Sequence, residues 1–233
     1  MMQQICIAID GYSSTGKSTL AKQLAKHLNY IYVDTGSMYR AVTLYAIQND
    51  FFNEEEELIV SKLLDALPSI NLSFKPIAND ELPTIHLNGI SVEKEIRNMK
   101  VSEKVSLIAA IPKVRRKLVE QQHKMGEHKG VVMDGRDIGT VVFPNAELKL
   151  FMTATPEVRA QRRYDELIAQ GEKLTYEEVL HNVQERDRID STREDSPLIK
   201  AEDAIEIDNS NMNLEEQFIL VNKLVQDALV KGK

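Results

Sequence analysis

The sequence predicts an α/β fold around a mostly parallel, five-stranded sheet. Three observations carry this. Five short apolar runs, residues 5–9, 30–33, 131–133, 148–152 and 204–207, are rich in Ile and Val and barely alternate, the pattern of strands covered on both faces. Helical patterns lie between them. The glycine-rich Gly11-Tyr12-Ser13-Ser14-Thr15-Gly16-Lys17-Ser18-Thr19 follows the first run, and Ala21, Leu24, Ala25 and Leu28 then repeat at i, i+3, i+4 and i+7. Strand, loop, helix and second strand make a right-handed βαβ unit. Strand order does not follow from this pattern.

The rest of the chain attaches to that core in order. Residues 1–34, 97–154 and 194–233 read as core and 35–67 as a helical region. Within 68–96, Ile70, Leu72 and Phe74 alternate, as do Ile85 and Leu87, and Asn88-Gly89 is a hairpin signal before Ile90 and Val92. This segment predicts an antiparallel insert of about three strands. The run Asn53-Glu54-Glu55-Glu56-Glu57 reads as a capped helix start whose dipole favours acids. Residues 155–193 are polar, charged and helical in pattern, too poor in apolar residues for a domain, and read as a helical hairpin serving as a lid. In the last helix Asn213 is the expected cap, with Glu216 at N3, and Leu214, Phe218, Val221, Leu224, Val225 and Ala228 form one apolar face.

Composition bounds the class. The chain has 233 residues, 42% hydrophobic, enough for one sizeable domain with appendages or two small ones. A net charge of −7 argues against a nucleic-acid partner, which normally needs a basic face. One cysteine excludes an intramolecular disulfide framework and fits a reducing cytosol. No basic region precedes the first apolar run, and no run approaches the roughly 20 residues of a membrane helix. The expectation is a soluble cytoplasmic protein.

The chemistry begins at Gly11-x-x-x-x-Gly16-Lys17-Ser18, a phosphate-binding loop in the setting it needs, after a strand and before a helix. Its amides and the helix dipole would hold a polyphosphate. Lys17 would bridge the β- and γ-phosphates, and Ser18 would ligate Mg²⁺. Asn-Lys-x-Asp and Asp-x-x-Gly are absent, and Asp134 ends its strand without a following Glu. Those absences favour transfer over hydrolysis.

A transferase needs a second anion site, and arginine suits it, being permanently charged and forked to fit phosphate. Arg40 follows the second strand and Arg136 the third, where an α/β sheet opens its ligand crevice. Six more lie in the lid region: Arg159, Arg162, Arg163, Arg186, Arg188 and Arg193. Arg186, Asp190 and Arg193 stand at i, i+4 and i+7, so one face carries two cations around a carboxylate. Arg162, Arg163 and Arg188 read equally well as ordinary surface ion pairs. A phosphate acceptor is already ionised at neutral pH and needs no general base. The five His lack metal-ligand spacing.

Three motifs carry a resemblance: Asp34-Thr35-Gly36-Ser37-Met38-Tyr39-Arg40; the run from Asp134-Gly135-Arg136-Asp137 to Phe143-Pro144; and Arg186-Asp187-Arg188-Ile189-Asp190-Ser191 with Arg193. Together they resemble the bacterial cytidylate (CMP) kinases, from about Gln3 to Asp208, including the longer form with an insert. The resemblance implies a P-loop nucleoside monophosphate kinase-like three-layer fold, transfer of the γ-phosphoryl of ATP to CMP and dCMP, and Mg²⁺ with the ATP. Residues 11–19 (Gly11, Tyr12, Ser13, Ser14, Thr15, Gly16, Lys17, Ser18 and Thr19), with Arg159, are expected to hold ATP. Thr35 and Arg40 would lie on the CMP phosphate side. Ser106, Arg115 and Asp137 would read the cytosine edge, where a carboxylate suits the N4 amino donor. Arg136, Arg186 and Arg193 would clamp the transferring phosphate, Asp190 would hold the sugar hydroxyls, and Asp134 would stand behind Ser18 at the metal. Ser106 and Arg115 rest on the resemblance alone; without it they read as helix-surface residues. A monomer is expected.

The chain departs from the family loop Gly-Pro-x-Gly-x-Gly-Lys: Tyr12 stands for the Pro and Ser14 for the middle Gly, where a positive φ would strain a serine. Ser37 replaces a usual Ala. Two other readings stay open at the level of sequence. One is a P-loop kinase acting on UMP, dTMP or an alcohol, with Asp34 or Asp137 as base. The other is a regulator that senses ATP without turnover.

Overall fold

The computed structural model describes residues 4–77 and 81–231. In chain order the first elements are β1 (Cys6–Gly11), α1 (Lys17–Leu28), β2 (Ile31–Asp34), α2 (Thr35–Gln48) and α3 (Val60–Ala66). Then come β3 (Leu72–Ile77), β4 (Glu81–Leu87), β5 (Ile90–Ser91), α4 (Met99–Ala109) and α5 (Pro112–Met125). The last are β6 (Val131–Asp134), β7 (Leu148–Thr153), α6 (Pro156–Ala169), α7 (Tyr176–Thr192), β8 (Ile205–Asp208) and α8 (Leu214–Lys231). Two compact units emerge, Met1–Thr35 with Gln121–Lys233, and Gly36–Glu120. Among the described residues no helix is long and apolar enough to cross a membrane.

The first unit holds the five-stranded sheet, in the order β2-β6-β1-β7-β8, every pair parallel. All five expected strands are present. β6 lies between β1 and β2, so the βαβ unit read from the sequence skips one strand. Every residue of β1 is buried, as continuous apolar runs require. Burying a side chain such as Ile7 or Ile9 contributes about 1.5–3 kcal/mol. The register sets Asp34 opposite Asp134 and Ile9 opposite Asp134, bringing the ends of three strands together where the loops begin. Gly11 ends β1 at φ +143°, and a Cβ there would sit 2.0 Å from the Met152 carbonyl, so only glycine lets β1 turn away beside β7.

Two expectations are corrected here. The run 204–207 forms the edge strand β8, not a strand covered on both faces: Ile205 is exposed and Ile207 alone is buried. In α8, Asn213 and Glu216 do form the reciprocal capping pair, at 2.9 and 3.0 Å. Val221 and Val225 are buried, but Leu214 is exposed, because Gln217 takes the inward place in the first turn and pairs with Asn209.

The second unit holds the insert, an antiparallel sheet in the order β3-β4-β5. Leu72 faces Leu87 and Phe74 faces Ile85, as the alternation requires. Asn88 at φ 49° and Gly89 at φ 87° make the two-residue turn with both central φ positive. Ile70, Ile85, Leu63 and Ile96 are fully buried in this unit. The acidic run is not a helix start. Phe52 bridges Leu58, and the Asn53 side chain accepts the Glu57 amide at 2.7 Å, closing a turn before α3 begins at Val60. Asn53 caps that turn instead of a helix.

Candidate active site

The phosphate loop is shaped by a few internal contacts. Gly16 (φ 86°) opens α1. Ser14 adopts φ 58°, so the position where the family has glycine does need the left-handed region. Lys17 is buried; its Nζ donates to the Tyr12 carbonyl at 2.5 Å and to the Thr15 hydroxyl at 3.3 Å. Burial and the nearby Arg136 cation push the Lys17 pKa well below the usual lysine value. A bound polyphosphate would restore that charge. The Ser13 hydroxyl oxygen is buried without a hydrogen-bond partner among the described residues, a second sign of a polar occupant.

Beside the loop, the ends of β2 and β6 supply oxygen. Ser18 donates to Asp134 Oδ2 at 2.8 Å, Tyr32 Oη donates to Oδ1 at 3.0 Å, and the Thr35 hydroxyl donates to the Asp134 carbonyl at 2.8 Å. Burial, then the Asp34 charge, raises Asp134 to about 6. Among the described residues no cluster of three or more His, Cys, Asp or Glu could hold a metal ion. A hydroxyl beside two crowded carboxylates nevertheless fits a hard divalent cation that takes its other ligands from phosphates and water.

The arginines separate into two kinds. Asp190 is buried; Arg136 Nε lies 2.9 Å from its Oδ2 and Arg193 Nη1 3.6 Å from its Oδ1. Burial alone would push Asp190 up, but the charges of Arg136, Arg186 and Arg193 prevail and hold its carboxyl below the usual range. The predicted face of Arg186, Asp190 and Arg193 is therefore one charged cluster, joined by Arg136 from the end of β6. Arg159 is buried too. Its guanidinium stacks 5.2 Å from the Tyr12 ring, and its Nη1 donates to the Ser13 carbonyl at 3.1 Å. The second kind is structural. Arg162 donates to Asn209 Oδ1 at 3.0 Å and to its carbonyl at 2.9 Å; Arg163 pairs with Glu166 and Arg188 with Glu185.

Asp137 is buried directly after Arg136, heading a single π-helical turn, Ile138–Val142. In the second unit Ser106 and Arg115 are both buried, not helix-surface residues. Ser106 lies in the last turn of α4 and Arg115 in the first turn of α5. Arg115 Nη1 donates to the Ala109 carbonyl at 3.0 Å and its guanidinium lies 5.5 Å from the Tyr39 ring. Arg40 is half-buried on α2.

Sequence reasoning missed three residues that build the site. Asp187 accepts the Ser13 amide at 3.2 Å and Arg159 at 2.5 Å, tying α7 to the loop. Asn209, fully buried after β8, donates to the Thr15 carbonyl at 2.7 Å. Asp10 accepts two amides after Asp137. Their signal was position: Asp10 and Asn209 are polar residues at the ends of apolar runs.

Comparison with known proteins gives the family. A family model described as cytidylate kinase matches residues 7–228. The chain is 61% identical over 226 residues to a cytidylate kinase of Flavobacterium psychrophilum, covering 97% of this chain and 100% of that one. It is 60% identical over 233 residues to one from Flavobacterium johnsoniae, covering 98% and 99%. A Parabacteroides distasonis cytidylate kinase is 60% identical over 216 residues, covering 93% and 94%. With most of its length matched at that identity, the chain belongs to the cytidylate kinase family.

Proposed function

We propose that the protein transfers the γ-phosphoryl group of ATP to CMP, and also to dCMP, acting with Mg²⁺ as a cytosolic monomer. One observation carries the reading most: α7 is tied to the phosphate loop, Asp187 accepting the Ser13 amide at 3.2 Å, and one turn on, the same helix holds the Asp190 cluster, with Arg136 Nε 2.9 Å from its Oδ2. Arginine forks gathered beside a phosphate loop suit a second phosphate group.

The amides of residues 11–19 and Lys17 hold the ATP phosphates, and Arg159, stacked on Tyr12, adjoins them. Ser18 and Asp134 would hold Mg²⁺, which when bound neutralises charge on the β- and γ-oxygens. Thr35 and Arg40 take the CMP phosphate side. Ser106, Arg115 and Asp137 read the cytosine edge, and Asp190 holds the ribose hydroxyls. Arg136, Arg186 and Arg193 neutralise charge on the phosphoryl group in flight. The acceptor phosphate is ionised near neutral pH, so alignment, charge neutralisation and exclusion of water suffice. Residues 155–193 act as the lid that excludes water. Incubation of ATP and Mg²⁺ with CMP, dCMP, UMP, dTMP or AMP in turn, with ADP and the new diphosphate measured, tests this. CDP should form with the largest kcat/KM; absent CDP, or a larger value for UMP, dTMP or AMP, refutes it.

A further inference from the structure

Asp10 is a buried carboxylate that the mechanism above does not use. It stands at the end of β1, immediately before Gly11 and the phosphate loop. Its Oδ1 accepts the Ile138 amide at 2.7 Å and its Oδ2 the Gly139 amide at 2.7 Å. These are the first two amides of the π-helical turn that follows Asp137. Such amides have no partner inside their own turn. Left buried and unpaired they would be costly. Farther along the turn, the Val141 amide returns to the Asp137 carbonyl at 2.9 Å.

The wall behind the contact is closely packed. A Cβ on Gly139 would lie 3.3 Å from Asp10 Oδ2 and 3.1 Å from Lys149 Cδ, so glycine permits this close approach. Lys149 is itself buried, its Nζ donating to the Pro144 carbonyl at 2.5 Å and to Asp203 at 2.8 Å. Burial raises Asp10 to about 7, and the Asp137 charge adds to that rise.

We propose that Asp10 is a positioning residue for nucleobase selection: its carboxylate fixes the backbone at Ile138 and Gly139 and so aims Asp137, while the same strand end launches the phosphate loop. The strand end then carries the base reader through the Asp10 side chain and the donor loop through its backbone alone. This rests on the reading of Asp137 as a residue that meets the cytosine edge.

Steady-state kinetics of Asp10→Asn with CMP, UMP and ATP test it. The asparagine amide group would confront an N–H with an N–H. KM for CMP should rise about tenfold and the CMP-over-UMP preference fall by a similar factor, with KM for ATP within about twofold. Equal rises for ATP and CMP, or an unchanged preference, overturn the proposal. Gly139→Ala keeps the Asp10 carboxylate and crowds the same contact from the other side, its Cβ pressing on Asp10 Oδ2 and Lys149. It should act in the same direction by about threefold, and it decides the matter alone if Asp10→Asn does not fold. Asp137→Ala separates the two ideas. If it leaves the preference intact, the base-reading role fails and this inference with it. If it erases the preference while Asp10→Asn changes nothing, only the Asp10 role fails. On the Asp137→Ala background, Asp10→Asn should alter the preference no further.

Discussion

The two sides of α7 use the same residue types to opposite ends. On the inner side, Asp190 is buried among Arg136, Arg186 and Arg193, and Asp187 ties the helix to the phosphate loop. On the outer side, Arg188 and Glu185 form an i,i+3 pair at 64% and 40% side-chain exposure. Both sides show opposite charges at helical spacing. The inner cluster has been taken out of water, so its charges act on one another strongly and any unpaired member is costly. The outer pair is solvated, and water already does most of what its partner offers. Spacing alone does not separate function from solvation; desolvation does.

The comparison breaks first, if it breaks, at the inner cluster. Arg136→Ala leaves Asp190 short of a partner and, on the proposed reading, removes a cation from the transferring phosphate. We expect kcat/KM for CMP to fall about 10³-fold, in line with loss of preorganised charge stabilisation. ATP affinity, measured by calorimetry, should change far less. A fall under tenfold would show the cluster to be structural.

Asp190→Asn probes the same cluster through stability. The Asp190 carboxyl is held below its unfolded value, so its contribution is present above the unfolded pKa and lost as pH falls through the folded one. The variant should therefore lose about 3 kcal/mol at neutral pH, the cost of breaking a buried pair. That deficit should shrink as pH drops below about 4. Denaturant titrations at several pH values check it; a gap independent of pH counts against the charged cluster.

Arg162 lies between the extremes. It is half-buried on α6 and donates two bonds to Asn209, which in turn holds the Thr15 carbonyl. Arg162→Ala should cost about 1–2 kcal/mol and raise KM for ATP a few-fold, with the CMP-over-UMP preference unchanged. A change in base preference would move Arg162 into the substrate-binding set.

The sequence made the sheet legible because apolar runs, helical repeats and the glycine loop are local patterns. It made the hairpin turn legible because Asn88-Gly89 needs two positive φ angles, and the structure has both. It also flagged Ser14, whose φ of 58° is the conformation that makes glycine usual there. What stayed hidden was non-local. Asp187, Asn209 and Asp10 matter through partners 174, 194 and 128 residues away in the chain. The edge position of β8 is a property of strand order. The misread run at Asn53 shows one side chain serving either a turn or a helix, the Phe52–Leu58 bridge deciding which.

Arg188→Ala is the smallest expected effect and the sharpest control. Arg188 sits between Asp187 and Asp190 in sequence, inside the family motif, so motif membership alone would assign it a role. Its geometry assigns it none beyond the exposed Glu185 pair and a carbonyl bond from Thr192. We expect kcat and both KM values within about twofold of wild type and Tm within about 2 °C. Any small Tm change should fade as salt is raised from 0.05 to about 0.5 M, because an exposed pair is screened. A tenfold loss of kcat would mean that this guanidinium turns inward during turnover. The two sides of α7 would then be states of one moving helix rather than fixed environments, and exposure would no longer sort its residues.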